Sequence, residues 1–416
     1  MRTQSPAAGA AVAVALRPWP YPYRAALAIC SDLDETPTAG DYLETARFLN
    51  TDEATRLGRG VNLEVGNSIY FDMPASQFSY WNGDDAARAR VRALIRSGHI
   101  DCLHSFGDLA TTRQHAGRAL DELARHECAL KVWIDHAVAP SNFGGDIMRG
   151  SGDVAGSPVF HADLTHAFGI EYVWRGRVTS VIGQDTGRRL AGIGRSSHLV
   201  ASAITVAKEA AKGIVARGGS AKYAPHKSNV VLWHSALRSG QPVVEFLRSN
   251  PSWAGISVHD TLDGLGEVVN EPMLNRLVER EAACVLYTHL GKTAQPGRVL
   301  TPQTRAALDL VADARNSGRL LVATTRRLLD FCRTRRGVSW TASGGPEALR
   351  IDVSTAGLSG FGRRDLEGLT FYTSPGASVR LAIDGRDVPG LRRNPPDHTG
   401  RASVSVAWPR LSFPQL

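Results

Sequence analysis

From about residue 24, short apolar runs alternate with amphipathic runs, and this alternation limits the possible folds more than any other feature. Short apolar runs predict buried strands, and the longer amphipathic runs predict helices. Strands alternating with helices at this spacing form parallel sheets, because each helix crosses over between two strands. The predicted strands cover residues 25–30, 61–65, 99–103, 130–134, 170–174, 229–233, 255–258, 283–288 and 320–323. The clearest predicted helices cover residues 84–96, 112–125, 271–280, 302–316 and 325–332.

This pattern predicts an α/β fold, a distorted (β/α)7-8 barrel over residues 21–336 that follows an N-terminal tail at residues 1–20. An open, doubly wound sheet is the alternative. No GxGxxG or phosphate loop follows the first predicted strand, which disfavours the nucleotide-binding form of that alternative. The stretch at about residues 176–227 is rich in Gly, Ser and Ala, so we expect a long irregular insertion there.

The sequence pattern changes after about residue 337, where helical periodicity stops. Short strands separated by Gly, Pro and Asp turns are predicted at residues 338–341, 348–353, 369–372, 379–383 and 402–407. They predict a small all-β, sandwich-like domain over residues 337–416. Trp340, Tyr372 and Trp408 are available there for stacking on sugar rings, or they belong to the core of the domain.

The charge balance of the chain bears on its partners. The 416 residues carry a net charge of +8, mostly as scattered arginine, which favours acidic partners such as anionic glycans. The chain has no basic tail and no basic helix interleaved with aromatic residues, so no nucleic acid is expected as a partner. No apolar run is long enough to span a bilayer, so no transmembrane segment is expected.

Cysteine usage and the N-terminus bear on location. The five cysteines are widely spaced and include no CxxC pair, so they indicate small buried hydrophobic residues and weakly favour a reducing compartment. The apolar stretch 7–16 follows Arg2, as in a signal peptide, but it is short and lacks a clean small-residue cleavage site. A cytoplasmic location is therefore favoured, and export stays open.

Polar residues of the types that bind metals or charged groups recur where the predicted strands end. They are, in chain order, Asp32, Asp34, His104, Asp108, Asp135, His136, Arg175, His259, Asp260 and His289. In a parallel barrel the carboxyl ends of all strands lie on one face, where active sites are built. Residues far apart in the sequence are therefore predicted to meet in one pocket.

The pair Asp32 and Asp34 suggests a bound cation. Carboxylates two residues apart on an extended segment point the same way, and a metal relieves the repulsion between them. One carboxylate then ligates, and the other is free to act as a base on water. Alternatively the two residues are caps or turn formers, because Thr36 and Pro37 can begin a helix.

Two further positions fit a metal hydrolase. His104 and Asp108 have the spacing of one helical turn, and both are ligand types that zinc accepts; alternatively they cap a strand and the following helix. His289 comes directly after an apolar strand, and an imidazole titrates in the range that suits a general acid. The alternative for His289 is a hydrogen-bonded core histidine.

Three segments together resemble the polysaccharide deacetylase family, which includes chitooligosaccharide and peptidoglycan deacetylases. Residues 26–34, Ala-Leu-Ala-Ile-Cys-Ser-Asp-Leu-Asp, resemble the first motif of the family in its Asp-x-Asp form. Residues 97–105, Ser-Gly-His-Ile-Asp-Cys-Leu-His-Ser, resemble the second motif, and residues 285–289, Val-Leu-Tyr-Thr-His, resemble the final one. The resemblance implies a distorted (β/α) barrel, a divalent metal that is usually zinc, and a carbohydrate substrate that loses N- or O-linked acetyl groups.

The resemblance also implies a role for each matching residue. Asp32 is expected to be the catalytic base and His289 the catalytic acid, while Asp34 and His104 are expected to bind the metal. The chain departs from the family at Asp108, where a second histidine is usual. Because a carboxylate can also ligate, Asp108 is kept in the expected ligand set.

A second departure is that the third motif of the family, Arg-x-Pro-x-Gly, is not recognisable. His136 could replace the missing imidazole as a ligand, and Arg175 could supply the missing positive charge. Asp135, His259 and Asp260 are further candidates for the metal site or the pocket around it.

Two other functions stay open. Related barrels carry glycoside hydrolases that use paired carboxylates, and Asp135 and Asp260 are available for that chemistry. The altered second motif also allows a barrel that binds glycans without catalysis.

Overall fold

Parallel pairing of short buried strands organises most of the chain. The computed structural model describes residues 14–187, 199–219, 223–251, 261–292, 300–345, 347–358 and 362–416. The chain divides into two units. One is formed by Ala26–Leu329 with Leu411–Leu416, and the other by the N-terminal segment up to Ala25 with Asp330–Arg410.

The strands are, in chain order, β1 (Ala15–Leu16), β2 (Ala25–Ser31), β3 (Ala54–Thr55), β4 (Gly58–Arg59), β5 (Gly66–Ile69), β6 (Ile100–His104), β7 (Val132–Ile134), β8 (Tyr172–Trp174), β9 (Val178–Thr179), β10 (Leu232–Ala236), β11 (Pro242–Phe246), β12 (Arg248–Ser249), β13 (Ala283–Thr288), β14 (Leu320–Val322), β15 (Ser339–Gly344), β16 (Ala348–Ser354), β17 (Thr370–Tyr372), β18 (Ser378–Ile383), β19 (Arg386–Asp387), β20 (Arg392–Asn394) and β21 (Ser403–Ser405).

The helices are α1 (Ala39–Asn50), α2 (Asp85–Ser97), α3 (Arg113–Arg125), α4 (Ala162–Phe168), α5 (Leu199–Arg217), α6 (Ala224–Ser228), α7 (Leu265–Val268), α8 (Glu271–Glu279), α9 (Pro302–Asn316) and α10 (Thr325–Gly337). Local sequence explains their ends. The side chain of Asp84 accepts a hydrogen bond from the first turn of α2, and Gly98 ends that helix in a left-handed conformation. Thr301 caps α9 in the same way, and Pro302 occupies its first position.

The larger unit contains a curled 11-stranded sheet with the order β10-β11-β8-β7-β6-β5-β2-β13-β12-β9, in which β14 also pairs with β2. The pairings from β8 through β7, β6, β5 and β2 to β13 are all parallel. Residues 175–177 separate β8 from β9, and Leu247 alone separates their partners β11 and β12. The sheet therefore curls, and β12 comes to lie against β13.

Most predicted strands and helices are present, with their ends shifted by a few residues. The expected strand at residues 61–65 is an exception, because the strand begins only at Gly66. The N–H groups of Val61 and Leu63 donate to carbonyls near the end of α1, and that of Val65 donates to the Asn50 side chain. This segment is buried, but its hydrogen bonds go to a helix end rather than to the sheet.

The region after β8 differs further from expectation. The strand predicted at residues 229–233 begins at Leu232 and runs antiparallel to β11, so it is an edge strand rather than a barrel strand. The insertion expected to be irregular contains the 19-residue helix α5. The strand predicted at residues 255–258 lies outside the described residues. Helices α1, α4, α6 and α7 and the strands β1, β3, β4, β9, β11, β12, β19 and β20 were not predicted.

The second unit holds two four-stranded sheets, β1-β17-β21-β20 and β15-β16-β18-β19. The all-β character expected at the C-terminus is thus present, and Trp340 meets Phe371 of the other sheet with ring centroids 5.6 Å apart. The N-terminal segment is not a separate tail, because Ala15 and Leu16 pair with β17. Tyr372, a candidate for sugar stacking, is buried and donates to Asp397.

The five cysteines are buried and free, as expected. Among the residues described, no helix has both the length and the apolar character needed to cross a membrane.

Candidate metal centre

Side chains that end or follow four parallel strands meet at one edge of the curled sheet. Asp32 and Asp34 follow β2, His104 ends β6, His136 follows β7 and His289 follows β13. These strands belong to one parallel series, so their carboxyl ends lie at the same edge. Four distant parts of the sequence therefore contribute to one site.

Asp34, His104 and His136 form a group that could hold a metal ion, because one ligand atom of each lies within 4.8 Å of the others. Nε2 of His104 is 3.3 Å from Oδ1 of Asp34, and Nε2 of His136 is 3.4 Å from Oδ2. One carboxylate and two imidazoles suit zinc and related divalent ions, and they leave coordination positions for water or substrate.

His104 provides a test of whether these residues fit a cation. Its side chain is buried. Nδ1 lies 3.5 Å from Oδ1 of Asp32 and Nε2 lies 3.3 Å from Oδ1 of Asp34, but neither ring nitrogen makes a hydrogen bond among the described residues. Such atoms are rare in proteins, because an unsatisfied buried polar group costs about 1–3 kcal/mol. Burial lowers the pKa of His104 to about 4, so the ring is neutral near pH 7, as a metal ligand must be. The residues present therefore fit a divalent cation.

Asp108 lies behind His136 rather than beside the other two grouped residues. Its Oδ1 is 3.0 Å from Nδ1 of His136, and its side chain is 41% exposed. The helical turn expected between His104 and Asp108 does not form, because Ser105 (φ 46°) and Gly107 (φ 100°) are left-handed. A carboxylate on the far nitrogen of a ligating imidazole orients the ring. The geometry thus groups His136, not Asp108, with Asp34 and His104.

The charges of His136 and Asp34 stabilise each other. Burial lowers the pKa of His136, but hydrogen bonds with Asp108 and Asp34 outweigh burial and raise the pKa to about 10. Burial likewise raises the pKa of Asp34, but the charge of His289 and hydrogen bonds with both histidines hold that pKa well below its usual value. His136 must therefore release a proton before it can ligate a cation.

Left-handed residues mark the same positions in the chain. Glu35 (φ 57°), Ser105 (φ 46°) and Ala137 (φ 37°) each come directly after one of the three grouped residues. Such conformations cost about 1–3 kcal/mol for non-glycine residues and cluster at functional sites. A sharp turn right after each grouped side chain turns the chain away from the strand direction and leaves the side chain at the sheet edge.

Asp32 is buried beside the group and forms an ion pair with Arg248. The guanidinium donates through Nη1 to Oδ1 at 2.9 Å and through Nη2 to Oδ2 at 2.8 Å. Arg248 is also buried, and its guanidinium carbon lies 3.6 Å from the ring centroid of Trp174 and 4.3 Å from that of Tyr287. A bidentate pair with aromatic rings against the cation allows the carboxylate little rotation.

Sequence reasoning missed Arg248 and suggested Arg175 as the source of positive charge. Arg175 instead donates to Glu245 and Ser235. Arg248 lies on β12, which has only two residues and carries no periodicity. The one available signal was a charged residue directly after the run 243–247, which is apolar except for Glu245.

Tyr70 is a second residue that sequence reasoning missed. It directly follows β5, it is fully buried, and its hydroxyl donates to Oδ1 of Asp34. Its ring meets those of His104 and His136 edge-on, with centroids 4.6 and 5.1 Å apart. Tyr70 thus touches every member of the grouped residues.

His289 lies where the sequence placed it, next to both carboxylates. Its Nε2 is 3.1 Å from Oδ2 of Asp34 and 4.0 Å from Oδ2 of Asp32. The backbone N–H of Leu290 donates to the side chain of Ser31, which fixes the chain just beyond the histidine. An imidazole so close to the carboxylates is well placed for proton transfer.

Asp135, another candidate from the sequence, makes hydrogen bonds that hold the loop after β7. It accepts hydrogen bonds from the Trp133 indole and from the N–H groups of Phe143 and Gly144, at 2.7–2.8 Å. Burial raises the pKa of Asp135 to about 7, in spite of these bonds. The other candidates, His259 and Asp260, lie outside the described residues.

Comparison of the chain with protein-family models, with curated proteins and with solved structures found no match. The chemistry of this site therefore rests on its residues and their geometry.

Proposed function

We propose that this chain is a metal-dependent hydrolase that removes N- or O-linked acetyl groups from a polysaccharide or oligosaccharide. One observation carries the proposal: Asp34, His104 and His136 group their ligand atoms, while a second carboxylate, Asp32, lies beside them in a buried ion pair. A metal hydrolase needs both a ligand set and a separate base. The resemblance of residues 26–34, 97–105 and 285–289 to polysaccharide deacetylase motifs supports acetyl groups as the target and zinc as the metal.

The strand pairings support a finer description of the fold. We propose that the curled sheet is a distorted (β/α) barrel. The parallel series from β8 back to β2 continues to β13, and β12 then links β13 to β9, which directly follows β8 in the chain. Barrels of this kind place their active sites at the carboxyl ends of the strands, where the grouped residues lie.

A divalent cation bound by Asp34, His104 and His136 would polarise the acyl carbonyl and make water more acidic. Asp32 accepts the proton of the attacking water while a new C–O bond forms at the carbonyl carbon. Arg248 keeps the Asp32 carboxylate in place during this transfer. The C–N or C–O bond to the sugar then breaks, and His289 donates a proton to the leaving atom. The products are acetate and a free amine or hydroxyl on the sugar.

Acetate release from an N-acetylated chitooligosaccharide tests this function. We expect chelation to abolish release, added Zn²⁺ to restore it, and elemental analysis of untreated protein to find a divalent metal. Asp32→Asn should lower kcat by about 10²–10⁴-fold with metal content unchanged, because it removes only the base. The matched variant Asp121→Asn, at an exposed position of α3, should keep full activity.

Other outcomes would assign a different function. Full acetate release by Asp32→Asn would show that the base assignment is wrong. Release of reducing ends without acetate, unaffected by chelation, would indicate a glycoside hydrolase. Glycan binding without bound metal or acetate release would indicate a non-catalytic barrel.

A further inference from the structure

A cavity of about 310 Å³ lies where β7, β8 and β11 end, in the same sheet that carries the grouped residues. It is lined by the loop after β7, by the connection between β8 and β9, and by β10 and β11. Gly144 lines the cavity and donates its N–H to Asp135, which directly precedes His136. One loop therefore joins the cavity wall to the grouped residues. The volume is at the lower end of the range for small-molecule sites.

The charged side chains of the cavity are balanced. Three arginines line it, and each is paired with one carboxylate, in the pairs Arg175–Glu245, Arg177–Asp146 and Arg238–Asp153. Because the formal charges of these pairs cancel, the cavity has no excess positive charge to select an anion. It is therefore suited to a polar but uncharged ligand.

One of these arginines keeps hydrogen-bond donors for a ligand. A guanidinium has five N–H donors in a planar fork, more than one carboxylate can accept. Arg238 directs its donors to Asp153 and to the carbonyls of residues 143, 144 and 150, whereas Arg177, among the described residues, donates to Asp146 through Nη1 alone. A ligand rich in hydroxyl or carbonyl oxygens would supply acceptors for the other donors of Arg177.

Trp233 supplies the apolar wall of the cavity. It is half-buried on the edge strand β10 and lies directly opposite Glu245 in the β10·β11 ladder. Residues directly opposite share one face of a sheet, so the indole lies next to the Arg175–Glu245 pair. An aromatic face beside polar donors and acceptors matches the two sides of a sugar ring, whose C–H face is apolar and whose edge carries hydroxyl groups.

We propose that this cavity binds one neutral pyranose ring of the carbohydrate, against Trp233 and the arginine donors. This proposal rests on the proposed function, because the bound sugar is taken to be one unit of the glycan whose acetyl group is removed at the grouped residues. The charge balance of the cavity narrows the substrate class to neutral glycans. The net charge of the whole protein, taken alone, favours an anionic glycan.

Calorimetric titration of the metal-free protein with tri-N-acetylchitotriose tests this site independently of hydrolysis. Trp233→Ala should weaken binding by about tenfold, since it removes the stacking face, and Trp233→Tyr should retain most of the affinity. Trp81→Ala is the matched control, because Trp81 is half-buried in a different surface groove on α3. It should bind the sugar like the unmodified protein.

Equal affinity of Trp233→Ala and the unmodified protein would overturn the proposal, and so would no binding at all. Tighter binding of an oligomer that contains glucuronate would overturn the assignment of a neutral ligand. Failure of the proposed hydrolase function can be distinguished from failure of the proposed sugar site. Trp233-dependent sugar binding without acetate release leaves the cavity site standing, whereas acetate release with sugar affinity independent of Trp233 does the reverse.

Discussion

Arg248 and Asp32 form a fully buried ion pair in which both nitrogens of the guanidinium fork donate to the carboxylate, at 2.8–2.9 Å. Asp32 directly follows β2 and Arg248 begins β12, and these strands are separated by more than half of the chain. Trp174 and Tyr287 both lie within 4.3 Å of the cation, measured to their ring centroids. The orientation of Asp32 is therefore set by contacts that replace water, which is the condition for a well-positioned base.

Arg248→Lys tests this positioning. Lysine keeps the charge but not the planar fork, so Asp32 loses its second hydrogen bond. We expect kcat for acetate release to fall by about 100-fold, with KM and metal content little changed. The matched control is Arg113→Lys, because Arg113 makes a similar bidentate pair with Asp163 at the surface. Unchanged kcat in Arg248→Lys would contradict the positioning role.

The ligand set is tested by comparing His136→Ala with Asp108→Asn. His136 contributes a ligand atom, so its loss should abolish stoichiometric metal binding. Asp108 only orients the ring of His136, so Asp108→Asn should lower the metal affinity by about 10–100-fold. Elemental analysis and competition with a chromophoric chelator measure both effects. If Asp108→Asn has a lower metal affinity than His136→Ala, Asp108 rather than His136 is the ligand.

Tyr70→Phe tests the hydroxyl that donates to Asp34. Removing this donor frees the carboxylate to rotate, so metal affinity should fall by about 10–100-fold while the fold is retained. Tyr80→Phe is the matched control, since the Tyr80 hydroxyl is equally buried but donates to Glu122. If competition titrations give equal affinities for the two variants, Tyr70 has no role in holding the ligand.

Asp101 predicts a pH effect on stability away from the metal centre. Burial raises its pKa from 3.8 to about 6, although the N–H of Arg326 donates to the carboxylate at 2.7 Å. Because the folded pKa lies above the unfolded one, folding favours the protonated form. The contribution of Asp101 to the free energy of unfolding is therefore fully present below about pH 3.8 and is lost as pH rises through about 6.

Asp101→Asn should thus gain free energy of unfolding relative to the unmodified protein between pH 4 and pH 7, by roughly 1–3 kcal/mol. Urea unfolding of the metal-free proteins across this range measures the difference. Asp121→Asn, at an exposed position, is the matched control and should leave the free energy of unfolding close to that of the unmodified protein. A flat difference for Asp101→Asn would mean that burial does not raise its pKa.

Local patterns were sufficient for much of the fold and for part of the site. The strands around residues 25–31 and 283–288 and the helix at residues 302–316 were predicted because burial periodicity and capping residues are local properties. Strand ends follow from the same pattern, so the sequence alone places Asp32, His104 and His289 at one edge of a parallel sheet.

Other features depend on which distant segments pair, and local patterns carry little information about pairing. The N-terminal strand β1 was missed because a two-residue strand has no period, and its partner β17 lies at the other end of the chain. The antiparallel direction of β10 likewise follows from its pairing with β11 rather than from its composition.

The sequence by itself determined the alternating α/β architecture, the all-β character of the C-terminal part and the residue types at the strand ends. Only the tertiary structure decided that His136 rather than Asp108 joins Asp34 and His104, that Arg248 rather than Arg175 faces Asp32, and that Tyr70 touches all three grouped residues. The physical reason is that side-chain distances depend on strand register, on sharp turns after the strands and on the curl of the sheet. These arise only when segments far apart in the chain pack together.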